Sequence, residues 1–111
     1  MEVVATSDTD VTIIAISGRL WGEPEGENLT KLLTDLKQKG IRKIVIDMEG
    51  VALINSSGLG SLIAGMKGFR EVGGDTKLAN LNESIQTILK ITRLNQIFHS
   101  YDSREDAVAS F

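Results

Sequence analysis

Leu53-Ile54-Asn55-Ser56-Ser57-Gly58-Leu59-Gly60 is the stretch on which the reading of this chain turns. An apolar, strand-like segment, Val51-Ala52-Leu53-Ile54, runs into Asn55 and two serines, and helical spacing begins at once. Leu59, Leu62, Ile63, Met66 and Phe69 mark one helix face, which ends near Gly73-Gly74. The glycines and Asp75 make a turn, and Thr76 to Leu81 reads as the next strand. A buried segment feeding a helix that feeds another strand is the βαβ unit of a parallel sheet.

The same alternation extends in both directions. Upstream, Val11-Thr12-Ile13-Ile14-Ala15-Ile16 is β-branched and stops at Ser17-Gly18. Glu2 to Thr6 supplies a short partner strand, with Ser7-Asp8-Thr9-Asp10 as the hairpin turn. Residues 22–27, with Gly22, Pro24 and Gly26, read as a loop or loose helix start. Leu29, Leu32, Leu33 and Leu36 then recur at helical spacing up to Gly40, before Ile41 and the buried strand Ile44-Val45-Ile46. Downstream, Asn82-Glu83-Ser84 can cap a helix that turns Ile85, Ile88 and Leu89 inward. Residues 96–101 read as a last strand, and Asp102-Ser103 caps a short final helix carrying Ala107 and Val108. The expectation is one α/β domain over residues 1–111. Its sheet is mixed but mostly parallel, with four to five strands and about four helices.

Composition narrows the chemistry. The 111 residues suffice for one compact domain with its own core, to which 41% hydrophobic residues contribute. There is no cysteine, hence no disulfide, thiolate nucleophile or Cys-based metal site, and a single histidine, His99, rules out a multi-His centre. Twelve basic against fifteen acidic residues give a net charge of −3, the wrong sign for a global field that would draw nucleic acid. No apolar run approaches the ~20 residues of a membrane span, and the first residues lack the pattern of a signal peptide. The chain reads as soluble and cytoplasmic, with no cofactor, no metal, no nucleic acid and no membrane insertion.

At Asn55–Gly60, unpaired backbone N–H groups and the positive end of a helix dipole converge on adjacent hydroxyls. One reading is helix capping, with Gly58 and Gly60 relieving crowding. The other is a helix-end anion site or a regulatory phosphoserine, since a cap needs one side chain and three polar residues stand together here.

Asn55-Ser56-Ser57-Gly58-Leu59-Gly60 resembles the Asp-Ser-Ser/Thr-Gly-Leu-Gly signature of STAS domains of the bacterial anti-sigma factor antagonist type. The resemblance extends over nearly the whole chain. It takes in Ile16-Ser17-Gly18-Arg19-Leu20, Ile44-Val45-Ile46-Asp47, Gly73-Gly74-Asp75, Lys77-Leu78-Ala79-Asn80-Leu81 and Ile91-Thr92-Arg93-Leu94. It implies a protein-binding switch rather than a catalyst. The implied partner is an anti-sigma factor with serine kinase activity, whose capture releases a sigma factor. Phosphorylation of the serine after the signature aspartate breaks that complex, and a PP2C-type phosphatase restores it. Carried onto this chain the serine is Ser56, with Ser57 the second choice, and the contact surface comprises Trp21, Asn55, Ser56, Ser57, Gly58 and Leu59. The chain departs from the family pattern where Asn55 replaces the aspartate, Arg19 replaces an acid after Gly18, and Trp21 falls where a second acid is common. The alternative implied by the family is an unphosphorylated docking module in a lipid-transport or stress-signalling assembly. Oligomeric state stays open.

Other features carry weaker chemistry. Trp21 is a core lid or an exposed binding anchor, and Glu23, Glu25 and Glu27 form an acidic run suited to a helix start. His99 reads as a structural histidine in the last strand. No Gly-x-Ser-x-Gly elbow surrounds Ser56 or Ser57, which leaves a hydrolase little support, and neither a dinucleotide fingerprint nor a P-loop is present. Gly58, Ser61, Gly65 and Gly68 give the second helix a small-residue side for packing on the sheet. Asp47 and Glu49 after the central strand could bind a cation, but they are two acids without further ligands.

Overall fold

A computed structural model describes residues 2–8, 10–20 and 27–111. The chain order is β1 (Glu2–Asp8), β2 (Val11–Leu20), α1 (Glu27–Gln38), β3 (Lys43–Ile54), α2 (Ser56–Glu71), β4 (Asp75–Ala79), α3 (Glu83–Ile91), a 3₁₀ turn (Leu94–Gln96), β5 (Ser100–Tyr101) and α4 (Arg104–Ala109). The sheet has five strands in the order β1-β2-β3-β4-β5. β1 pairs antiparallel to β2, whereas β2, β3, β4 and β5 run parallel. This is the mixed, mostly parallel sheet expected, with four α-helices among the described residues.

The central strands alternate as their sequence dictates. Ile14, Ile16, Ile44, Ile46, Met48 and Leu78 point to the side covered by α1, α2 and α3, where they join Leu29, Leu33, Leu62, Met66, Phe69, Ile85 and Leu89 in the main core. The opposite face carries Val11, Ile13, Val45 and Ala79 under Ala107 of α4, with Tyr101, Val108 and Phe111 at its margin. Lys77 helps hold that short helix. Its ammonium lies 4.6 Å from the Phe111 ring centre and donates to the Ser110 carbonyl at 2.9 Å.

Several expectations are corrected. The segments at 44–46 and 51–54 belong to one twelve-residue strand, and Leu53 is turned out rather than buried. The last strand is only Ser100–Tyr101, because residues 94–96 wind into a 3₁₀ turn and Phe98 dives into the core. His99 therefore precedes the strand instead of lying within it, and is exposed, while its backbone carbonyl accepts from Leu78 N at 2.9 Å. β4 ends at Ala79 because Asn80 adopts the left-handed conformation, φ 59°. Two glycines expected to pack α2 on the sheet face α1 instead: a methyl group at Gly65 would overlap the end of the Leu33 side chain, and one at Gly68 would touch Lys37. Thr9 of the predicted hairpin turn lies outside the described residues.

Asp47 is the hub of the second sheet face, not a cation ligand. It is 3% exposed, and its Oδ1 accepts from Asn80 Nδ2 at 2.9 Å and from Glu49 N at 3.1 Å. Oδ2 accepts from Arg104 Nε at 2.9 Å and from a terminal guanidinium nitrogen at 2.7 Å, tying α4 to β3. Burial alone would raise the Asp47 pKa. The hydrogen bonds from Asn80, Glu49 N and Arg104, with the attraction of the guanidinium, outweigh it and hold the group below the usual carboxylate range. A lowered folded-state pKa means stability that is present above the unfolded value and lost as pH falls through the folded one. Asp47→Asn should therefore cost about 1–3 kcal/mol near neutral pH. In urea titrations the gap from wild type should narrow as pH drops below about 4. A gap independent of pH would remove the ionised carboxylate from this role.

Candidate functional site

The first turn of α2 is built at the point where three elements meet. Asn55 sits in extended backbone (φ −110°, ψ −179°) and its Oδ1 accepts from Gly58 N at 2.8 Å, a side-chain N-cap. Its own N–H donates to the Leu20 carbonyl at 3.3 Å, which fastens the start of the helix to the last residue of β2. Gly58 is buried against the same carbonyl, and a methyl group there would overlap the Leu20 oxygen. Of the two readings of this stretch, capping is thus realised, and by Asn55 alone. The hydroxyls are left over.

Ser56 and Ser57 occupy the first two positions of α2, and both are exposed. The first turn contains no acidic residue, so no carboxylate of its own offsets the helix dipole there. Ser61 Oγ donates to the Ser57 backbone carbonyl at 3.2 Å, and the Ser57 residue is itself exposed. Leu59 is half-buried against the core. The structure therefore gathers Asn55, Ser56, Ser57, Gly58 and Leu59 into one helix turn. Trp21, Glu23 and Glu25 lie outside the described residues. Leu20, not singled out in the sequence, is the residue on which the turn rests; nothing in a leucine signals that its carbonyl will matter, and the only hint is the glycine at 58.

Among the described residues no group of three or more His, Asp or Glu side chains is placed to hold a metal. No described helix is long and apolar enough to cross a membrane. What the site presents is a pair of exposed hydroxyls at a helix start capped by Asn55.

A sheet of this order with a capped Ser-Ser-Gly-Leu-Gly turn has clear relatives. The STAS domain family profile matches residues 2–107. The chain belongs to the STAS domain family. It is 29% identical over 102 residues to BtrV of Bordetella bronchiseptica, named as a candidate anti-sigma factor antagonist, spanning 92% of this chain and 88% of that one. Over a shorter stretch of 70 residues it is 34% identical to a Thermotoga neapolitana protein of similar naming, spanning 63% of this chain and 62% of that one. The crystal structure of a candidate anti-sigma factor antagonist from Thermotoga maritima superposes with a TM-score of 0.88 at 25% identity, covering 97% of this chain and 92% of its own. The Bacillus cell fate determinant SpoIIAA in its phosphorylated form shares the fold at 18% identity, with a TM-score of 0.77 and coverage of 99% and 100%.

The junction makes opposite demands on neighbouring positions. Asn55→Ala removes the cap and should cost about 1 kcal/mol, whereas Asn55→Asp, an equally good cap beside a positive helix end, should be neutral or slightly stabilising. Gly58→Ala meets backbone, which cannot rotate away, and should cost at least about 1–3 kcal/mol. Thermal unfolding of the three variants checks this. A Gly58→Ala protein as stable as wild type would mean that the Leu20 contact is dispensable.

Proposed function

We propose that this STAS domain is an anti-sigma factor antagonist switched at Ser56. In the unmodified state it binds an anti-sigma factor through the start of α2 together with Trp21, and so frees a sigma factor. The anti-sigma factor's own serine kinase activity phosphorylates Ser56, with Ser57 the second choice, and the complex dissociates. A PP2C-type phosphatase resets the switch. The domain acts by presenting a surface in the cytoplasm and catalyses nothing itself.

The observation that carries this reading is an exposed Ser56 at the first position of a helix whose cap is supplied by another residue. The hydroxyl can be modified without unmaking the fold. A phosphate adds about −1.5 to −2 charges, beside a helix end that favours an anion by ~0.3–1 kcal/mol. Within a docked interface the same charge, desolvated and unpaired, costs about 3–5 kcal/mol, roughly a hundredfold or more in affinity. Against a net charge of −3 the perturbation is large. The names of the sequence relatives and the phosphorylated form of the Bacillus fold neighbour support the same assignment.

A second reading, the unphosphorylated docking module, draws on Asn55 and Arg19, which stand where the family resemblance leads one to expect acids. The two separate in one experiment: incubation with the host's candidate anti-sigma kinase and ATP, followed by intact-mass measurement. Wild type should gain one phosphate, Ser56→Ala should gain none, and the phosphorylated protein should bind the kinase at least about a hundredfold more weakly. Binding by wild type without modification would leave the docking module standing and remove the switch. Modification that follows Ser57 instead would move the site by one residue.

A further inference from the structure

The two faces of the sheet are covered unequally. α1, α2 and α3 close one face over the main core, whereas the described cover of the other is α4 and the residues after it. α4 has six residues, of which Ala107 is the buried one. Beneath it the register sets Ile13 beside Val45 and Asp47 beside Ala79. Val11, Ile13, Val45 and Ala79 thus form an apolar patch across β2, β3 and β4, and all four are buried.

We propose that α4 is a detachable lid, which lifts as a unit while the rest of the domain stays folded and uncovers this apolar patch. A helix this short owes its stability to packing, and it packs through one small buried side chain with Val108 and Phe111 at the margin. It follows the last strand, so its departure breaks no connection within the sheet. The bonds that shape it lie within the segment. Ser103 Oγ accepts from Asp106 N at 3.1 Å, and the Ser103 and Asp106 carbonyls accept from Ala107 N and Ser110 N.

The tethers release without stranding a buried charge. Asp47 Oδ1 keeps Asn80 Nδ2 and Glu49 N, both outside α4, wherever the helix goes. Arg104 holds Oδ2, and its side chain is already 39% exposed. When α4 lifts, Oδ2 and the guanidinium pass into water together, and neither is left buried without a partner. Lys77 gives up the Ser110 carbonyl and the Phe111 ring but keeps the Tyr101 ring of β5, 5.7 Å from its ammonium. Had every donor to Asp47 come from α4, lifting it would leave that carboxylate with no protein partner. The division of Asp47 between sheet and helix lets the lid open on its own.

The chain has no cysteine, so one introduced thiol reports its own exposure. Val45→Cys places it beneath α4 and Met66→Cys places it in the main core, both at buried positions. Each full-length variant is labelled with an aromatic disulfide reagent at low, non-denaturing urea. Val45→Cys should react at least about a hundredfold faster than Met66→Cys, at a rate that urea hardly changes, because lifting a short helix exposes little surface. Adding Arg104→Gln should speed the Val45→Cys reaction about tenfold, as loss of a charge-assisted pair implies. Adding Ile85→Val, in the main core, should speed Met66→Cys about three- to tenfold and leave Val45→Cys unchanged. Equal rates with equal urea dependence for the two thiols would mean that α4 leaves only when the domain unfolds, and would overturn the lid. A Val45→Cys rate indifferent to Arg104→Gln, or raised by Ile85→Val as much as that of Met66→Cys, would overturn it too. If a cysteine variant folds poorly, hydrogen exchange of the unsubstituted protein decides the matter: the Ala107 amide should exchange through a urea-insensitive opening and the Ile46 amide only through unfolding, and identical behaviour would refute the lid.

Discussion

The contact between the last residue of β2 and the first turn of α2 fixes much of the rest. Leu20 offers one carbonyl oxygen, which accepts from Asn55 N and lies where any side chain at position 58 would sit. Its side chain is fully buried in the main core, so the oxygen cannot shift without disturbing that packing. The end of one strand, the end of the next and the start of a helix are thereby pinned together. Asn55 can then cap the helix from a fixed backbone, and Ser56 and Ser57 are relieved of that duty. The proposed switch at Ser56 draws on this division of labour, in which the structural work falls to its neighbours.

The other sheet face is organised around charge. Asp47 lies at the centre of β3 and would be costly there without partners, yet it receives Asn80 from the end of β4, Glu49 N from its own strand and Arg104 from α4. A six-residue helix buries too little surface to secure itself, and its anchorage by Arg104 and Lys77 compensates for that. Asn80 takes a left-handed backbone to reach Asp47, a conformation that asparagine tolerates better than most residues. The acid that looked available to a cation is already spent on tertiary structure.

Much of the architecture was legible because hydrophobic periodicity is a local signal. Leu29, Leu33, Leu62, Met66, Phe69, Ile85 and Leu89 recur at helical spacing, and all are buried. The cap residues Asn82 and Ser103 lay in the positions assigned to them, each accepting from an amide three residues on. The errors fell where local preference competes with distant demands. Residues 96–99 look like strand, but Phe98 is drawn into the core and the chain before it winds into a 3₁₀ turn. Val51–Ile54 looks uniformly buried, and only the register against β2 turns Leu53 out. Gly65 looks like a sheet-packing residue, and only the approach of α1 shows that Leu33 is what it accommodates.

By itself the sequence determined the order of strands and helices, the STAS family and the turn that carries the serines. Each of these follows from residue types at short spacing, where backbone preference and amphipathic pattern act along the chain. Tertiary structure alone decided which of Asn55, Ser56 and Ser57 caps the helix, that Asp47 is a tether and that Leu53 is presented to solvent. Those outcomes depend on the Leu20 carbonyl, on Arg104 fifty-seven residues from Asp47, and on two residues that β3 carries in excess of β2 where the strands pair. They are relations between segments that meet only when the sheet closes, and no window along the chain contains them.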